Sequence, residues 1–249
     1  MEILAVINQK GGVGKSTTAA AIGAALSLRG KKVLFVDLDA QGNLSYITAA
    51  GAGEVNALDV LQEPENIREA IRHTAQGDII PSARGLAIAD KLLTDTGKEY
   101  RLKEALQQLP PGSYDFVILD TPPALGVLTI NALAACNGAI IPAQADVLSL
   151  QGIAQLSETI DRVRKYCNPE LKITGIVLTR YNSRAIISRE IAELTEETAA
   201  KLQTKVFNTK IRECTAIKEA QAMKQDIFTY APRSNAASDY KDLAAEITE

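Results

Sequence analysis

The stretch Asn8-Gln9-Lys10-Gly11-Gly12-Val13-Gly14-Lys15-Ser16-Thr17 decides the fold through what flanks it. A continuous apolar run, residues 3–7, precedes it. After it Ala19, Ile22 and Leu26 recur at helical spacing as far as a basic turn and a glycine, Arg29-Gly30. Buried strand, glycine loop and helix in that order form a phosphate cradle. Glycines let backbone N–H groups turn inward onto phosphate oxygens, and the helix N-terminus adds unpaired donors and a positive dipole end. The cradle runs Lys10, Gly11, Gly12, Val13, Gly14, Lys15, Ser16, Thr17. Lys15 is expected to reach the β- and γ-phosphates of ATP, Ser16 to ligate Mg²⁺ and Thr17 to meet the α-phosphate. Gln9 stands where the strict pattern G-x-x-x-x-G-K-[ST] has its first glycine, and Lys10 adds a second lysine directly before the glycines.

Working outward, further short apolar runs at 33–38, 116–119, 139–142 and 173–178 read as buried strands. Helical stretches are expected near 86–93, 102–109, 125–135, 153–166, 188–202 and 236–247. Strand and helix alternate over the whole length, which predicts an α/β fold: a mostly parallel central sheet with helices on both faces. The chain shows no repeat and no dividing linker, so one domain over 1–249 is expected, with the Gly/Ala-rich stretch 49–53 as a mobile surface loop. In such a sheet the strand C-termini gather at the ligand edge. The second strand ends Val36-Asp37-Leu38-Asp39-Ala40-Gln41-Gly42-Asn43 and a later one Val117-Ile118-Leu119-Asp120-Thr121-Pro122-Pro123. Any one aspartate at a strand end is more often a cap or turn residue; three aimed at one phosphate loop suggest carboxylates that hold the metal, Asp120 and Asp37 among them, and position water.

Composition narrows the class. Hydrophobic residues make up 46% and charged residues 23%, a globular balance. No apolar run approaches the roughly 20 residues that span a bilayer, and no basic leader precedes the first strand, so a cytosolic protein is expected. Cys136, Cys167 and Cys214 are scattered and His73 is the only histidine, which argues against a zinc site or a Ser-His-Asp triad. The net charge of −3 conceals an asymmetry: residues 162–233 carry fourteen Lys/Arg against eight Asp/Glu, a balance of +6, leaving −9 elsewhere. Either those cations share one face and meet a polyanion, or they form a scattered, solvated surface.

At K-G-G-V-G-K-S-T (10–17), V-D-L-D-A-Q-G-N (36–43) and L-D-T-P-P-A-L-G (119–126) the chain resembles the ParA/Soj family, the deviant-Walker-A ATPases of plasmid and chromosome partition, grouped with MinD-like proteins. Weaker matches lie at Ile80-Pro81-Ser82-Ala83, at Thr179-Arg180-Tyr181 and over 234–246. Ala40 stands where the family usually has proline, and Arg212 where it often has the proline of an Ile-Pro-Arg segment. The resemblance implies an ATP-sandwich homodimer with slow intrinsic turnover. In it Lys10 reaches across to the partner's phosphates, Lys15 and Asp39 complete the catalytic set, and Asp39 orients water with Asp37 as a supporting acid. It also implies non-specific DNA binding, a ParB-type centromere-binding partner and a cytoplasmic, nucleoid-associated protein. Arg184, Arg189, Lys210, Lys218 and Lys224 are the candidate DNA contacts; Arg180 and Arg212 are placed near adenine by position. With the first strand starting at residue 3, no helix-turn-helix precedes it, and operator-specific binding is not expected.

Three other readings share the engine. A MinD-like membrane-cycling ATPase needs a basic amphipathic C-terminal helix, whereas this tail, residues 239–249, is acidic. An iron–sulfur reductase of the nitrogenase type needs a second cysteine near 85–97 to match Cys136, and a bacterial tyrosine kinase wants a tyrosine-rich tail where only Tyr240 stands.

Overall fold

The computed structural model describes residues 1–51 and 53–248; Ala52, inside the predicted loop, and Glu249, at the end of the acidic tail, lie outside the described residues. Strand β1 (Glu2–Val6) passes through the glycine loop into α1 (Lys15–Leu28), and β2 (Val33–Asp37) follows. Three short helices, α2 (Asn43–Ile47), α3 (Ala57–Gln62) and α4 (Ile67–Ala70), lead to a hairpin of β3 (Arg72–Thr74) and β4 (Gly77–Ile80). Next come α5 (Ala89–Leu92), α6 (Arg101–Gln107), β5 (Phe116–Asp120), α7 (Val127–Ala135) and β6 (Gly138–Gln144). The chain continues with α8 (Val147–Tyr166), β7 (Lys172–Thr179), α9 (Ile186–Lys201), α10 (Thr215–Ala222), α11 (Ile227–Tyr230) and α12 (Asn235–Thr248).

The strands form one sheet in the order β3-β4-β2-β5-β1-β6-β7, parallel throughout except for β3. Their side chains alternate between two buried clusters. Ala5, Leu34 and Val36 pack with Val60, Leu106, Leu133 and Ile153 from α3, α6, α7 and α8. Leu4, Val6, Val33 and Phe35 pack on the other face with Ile22 and Leu26 of α1 and Leu243 of α12. Burial on both faces explains why these strands read as unbroken apolar runs and not as alternating ones. α1 ends as its sequence indicates: Arg29 caps it, and Gly30, at φ 77, turns the chain out.

Differences from the sequence reading are local. The hairpin β3–β4 is mostly polar, with only Ile79 and Ile80 fully buried, so its strands carry no run long enough to see. α8 starts at Val147 and not near 153, because the Asp146 side chain accepts the Ser149 N–H at 2.9 Å and so caps a first turn whose Val147 and Leu148 stay exposed. The helix expected at 86–93 is a 3₁₀ turn, Arg84–Ile88, continued by α5. In the stretch 49–53, Ala50 is buried and its N–H donates to Ser45 O, so that part is seated, not loose.

Gly23 marks the tightest approach of α1 to the sheet: a Cβ there would overlap the Phe35 ring. Helix propensity alone favours Gly23→Ala by ~1 kcal/mol. Overpacking against a fully buried aromatic ring outweighs it, so we expect a net loss of roughly 0.5–2 kcal/mol in urea unfolding. An equal or more stable variant would show that this contact relaxes freely.

Candidate functional site

The parallel register gathers the functional residues at one edge. Val6 and Asp37 both lie opposite Asp120, so β1 delivers the glycine loop directly beside two adjacent strand-end aspartates. Gly12 and Gly14 have φ 76 and 93. A Cβ on Gly14 would meet only Thr18 Oγ1, at 4.0 Å, so backbone conformation and not crowding requires glycine. The loop's carbonyls are tied outward: Gln144 Nε2 donates to Gly12 O at 3.0 Å and Thr179 Oγ1 to Val13 O at 2.8 Å. Asn8 braces the loop's start, accepting the Lys10 N–H at 2.9 Å while donating to Pro142 O at 2.7 Å. The Gly12 and Val13 carbonyls are engaged by side chains of β6 and β7.

Lys15 is buried and its Nζ donates to Lys10 O at 3.2 Å. Burial lowers its pKa, with Asp120 and Asp39 opposing. Asp120 is fully buried, and among the described residues neither carboxylate oxygen has a hydrogen-bond partner. Burial, then the adjacent Asp37, push its carboxyl well above the ordinary range, while the nearby Ser16 and Lys15 act the other way. An unpartnered carboxylate beside a phosphate loop and a helix-N-terminal serine suits a hydrated Mg²⁺.

The other two acids are differently engaged. Asp37 Oδ2 accepts both the N–H and the hydroxyl of Ser45 at 2.7 Å, and its Oδ1 accepts the Asp39 N–H at 3.1 Å. It anchors α2, and burial raises its pKa to about 6. Asp39, at the mouth, accepts the Gln41 N–H at 3.0 Å, and Ser82 Oγ donates to its carbonyl. Of the three acids it is the one that lines the cleft over the loop.

Lys10 does not enter this cleft. Its Nζ is 2.6 Å from Asp146 Oδ2 and 3.4 Å from Ser149 Oγ, at the rim between the loop and α8. Burial works against it, but Lys10 and the Ser149 N–H hold the Asp146 carboxyl below its usual range. Sequence reasoning missed Asp146, although the rule that found Asp37 and Asp120, an acid closing an apolar strand, applies at Gln144-Ala145-Asp146 too. It also missed Gln221, whose Nε2 donates to Thr17 Oγ1 at 2.8 Å, and nothing local in the sequence marks that residue.

The cleft over the loop, about 650 Å³, is lined by Gly11, Lys15, Asp39, Asn43 and Arg180. A recess of about 80 Å³ adjoins it past Thr17, and Arg180 and Arg212 both border that recess. Arg212 is fixed by Asp239 of α12, with Nη2–Oδ1 at 2.6 Å and its own N–H on Oδ2 at 2.9 Å. Of the cations assigned to DNA, Arg184 and Arg189 are exposed at the start of α9 and Lys218 on α10. Lys210 is half-buried, its Nζ 4.9 Å from the Tyr181 ring centre, and exposed Lys224 stands 4.8 Å from that of Tyr46. Among the described residues none of the five forms an ion pair.

Comparison with known proteins agrees with this geometry. A family model described as an AAA domain matches residues 1–173. The sporulation initiation inhibitor protein Soj of Bacillus subtilis is 38% identical over 99% of this chain and 98% of its own. The chromosome partitioning protein ParA of Caulobacter vibrioides is 36% identical over 99% and 94%. A crystal structure from Mycobacterium smegmatis, titled cobyrinic acid a,c-diamide synthase with bound ADP and magnesium, superposes with a TM-score of 0.83 at 36% identity, covering 98% of this chain and 93% of that one.

Two measurements check the site. Lys15→Ala removes the buried cation, and we expect ATP affinity by calorimetry to fall on the order of 100-fold or more; undiminished affinity would refute the cradle. Asp120→Asn replaces an unpaired buried carboxyl with a neutral isostere, so nucleotide-free thermal stability should rise while Mg²⁺-dependent ATP affinity drops. Because the folded pKa values of Asp120 and Asp37 are raised above 3.8, the native state holds the extra protons, and the stability these two acids contribute should decline as pH climbs from about 4 through about 6 and beyond, against the opposite contribution of Asp146 and Glu246. That decline should be shallower in Asp120→Asn, and an equal slope would mean Asp120 is not the buried acid responsible.

Proposed function

The chain belongs to the ParA/Soj family of P-loop ATPases, and from that premise we propose that it is a partition switch, an ATP-dependent homodimer that binds DNA without sequence preference and moves plasmid or chromosomal DNA with a ParB-type partner. Residues 1–249 would act as one ATPase domain, cytoplasmic and associated with the nucleoid. The observation that carries the reading is Lys10. Its ammonium sits on Asp146 at the rim instead of among the loop's own N–H groups, which suits a cation meant for a second subunit's nucleotide.

The chemistry follows from charge. Two triphosphates facing each other repel, and a lysine from the opposite protomer offsets that charge as it builds at transfer. Lys15 and the loop N–H groups would hold the β- and γ-phosphates from within; Ser16 and Asp120 would hold Mg²⁺, which would supply further charge neutralisation when bound. Asp39 at the mouth orients water, and Asp37 keeps α2, and with it the segment after Asp39, in place. Slow turnover suits a switch that must persist between partner encounters. Arg180 and Arg212 border the recess that would take adenine.

The unpaired cations Arg184, Arg189, Lys210, Lys218 and Lys224 support a phosphate-backbone surface, and two protomers would double its contacts. A membrane-cycling role has less support: Ala236, Tyr240, Leu243 and Ala244 of α12 are buried, so its apolar side is already used. Among the described residues, no helix is long and apolar enough to cross a membrane. The names of the near-full-length relatives favour partition over the diamide synthase named for the mycobacterial structure.

The deciding experiment is duplex DNA binding with ATP, with ADP and without nucleotide at two salt concentrations. Binding only with ATP and steeply weakened by salt supports the proposal, and binding indifferent to nucleotide sinks it. Asp39→Ala should bind ATP and DNA yet hydrolyse at least ~100-fold more slowly, since only the water-orienting group is lost. Wild-type turnover in that variant would remove Asp39 from the mechanism.

A further inference from the structure

Helix α10 is joined to the nucleotide cleft at two points. Gln221 Nε2 donates to Thr17 Oγ1 at 2.8 Å, beside the phosphate loop. The second tie passes through Gln76, on the turn between β3 and β4. Its Nε2 donates to Ile47 O, at the end of α2, at 2.6 Å, and to Lys224 O, just past α10, at 3.0 Å. Lys224 also lays its ammonium over Tyr46 of α2. α2 in turn is fixed by Asp37 through Ser45 and follows the Asp39 segment directly.

α10 itself is lightly seated. Ala220 is its one buried residue, and a void of about 30 Å³ lies beneath it, bordered by Ala21, Ile47, Gln76 and Gln221. The helix closes through a left-handed Lys224, φ 52, a conformation that favours glycine. An element with little buried apolar surface, held by two polar ties, responds when the ends of those ties shift.

We propose that Gln76 is a positioning residue that transmits the state of the Asp39–α2 segment to α10, so that ATP resets where Lys218 and Lys224 stand. The inference rests on the DNA-binding reading above and names its regulation. A phosphate accepting the Thr17 O–H strengthens that hydroxyl as an acceptor for Gln221, which either ADP or ATP achieves. Only the γ-phosphate acts on the Asp39 end, so the Gln76 tie carries the ATP-specific part.

The chain has no tryptophan, and Met223, which caps α10, is 61% exposed, so Met223→Trp provides a single reporter on this helix. Its emission should change with ATP–Mg²⁺ more than with ADP–Mg²⁺. In the same background Gln76→Ala, and Gln76→Glu, which keeps the size but loses the donor, should abolish the ATP-specific component. Both should weaken ATP-dependent binding to a labelled random-sequence duplex about tenfold, while ATPase activity without DNA stays within about twofold. Emission that ignores ATP, or full ATP-specific emission and full DNA affinity in both Gln76 variants, would overturn the proposal. An ATP response in the reporter of a protein that binds DNA in no nucleotide state would leave the arm standing and remove the DNA reading instead. Should the Gln76 variants melt early, the reporter in otherwise wild-type protein still decides whether α10 moves.

Discussion

A carboxylate with nothing to bond to, at the buried end of β5, governs much of what surrounds it. Water would solvate Asp120 generously, but the sheet interior does not, and Asp37 lies directly opposite on β2. Such a group costs several kcal/mol if ionised and unpaired. The fold accepts that cost by placing Lys15 close by and by tying up Asp37 with Ser45 and the Asp39 N–H, so that only one of the two carboxyls is left free. The arrangement is incomplete without a cation and a polyanion, and binding them repays the protein by mass action.

Around that defect the scaffold is conventional and tightly packed. Parallel strands covered on both faces fix the register, and the register fixes which strand ends meet. The loop's outward ties from Asn8, Gln144 and Thr179 come from β6, β7 and the exit of β1, so the cradle is held by the sheet itself. The C-terminal helix packs against α1, where Tyr240 OH meets Thr18 Oγ1 at 3.2 Å, directly after the phosphate loop.

What the sequence made legible follows from locality. The glycine loop, Asp37, Asp39 and Asp120 lie within or directly after apolar runs, and parallel topology alone brings such positions together. The central strands were visible because burial on both faces leaves an unbroken apolar signature. β3 and β4 were not, since a short polar edge hairpin has no periodicity to read. Asp146 was recoverable by the rule already in use, whereas Gln221 and Gln76 act through contacts spanning 204 and 148 residues, which no spacing rule encodes. The cations assigned to DNA could be counted in the sequence, but only the fold distinguishes Lys210, stacked on Tyr181, from Arg189, open to solvent.

Asp146 does two jobs at once, and the combination bears on reversibility. The carboxylate that grips Lys10 through one oxygen caps a 20-residue helix through the other. When the lysine departs, the Ser149 N–H and the positive end of the helix still satisfy the acid, so no charge is stranded and no turn frays. A half-exposed ion pair of this kind is worth about 0–1 kcal/mol. In the proposed dimer the rim would therefore work as a berth, not a lock: the cation would be lent to a visitor and reclaimed by side-chain motion, with the backbone as it was.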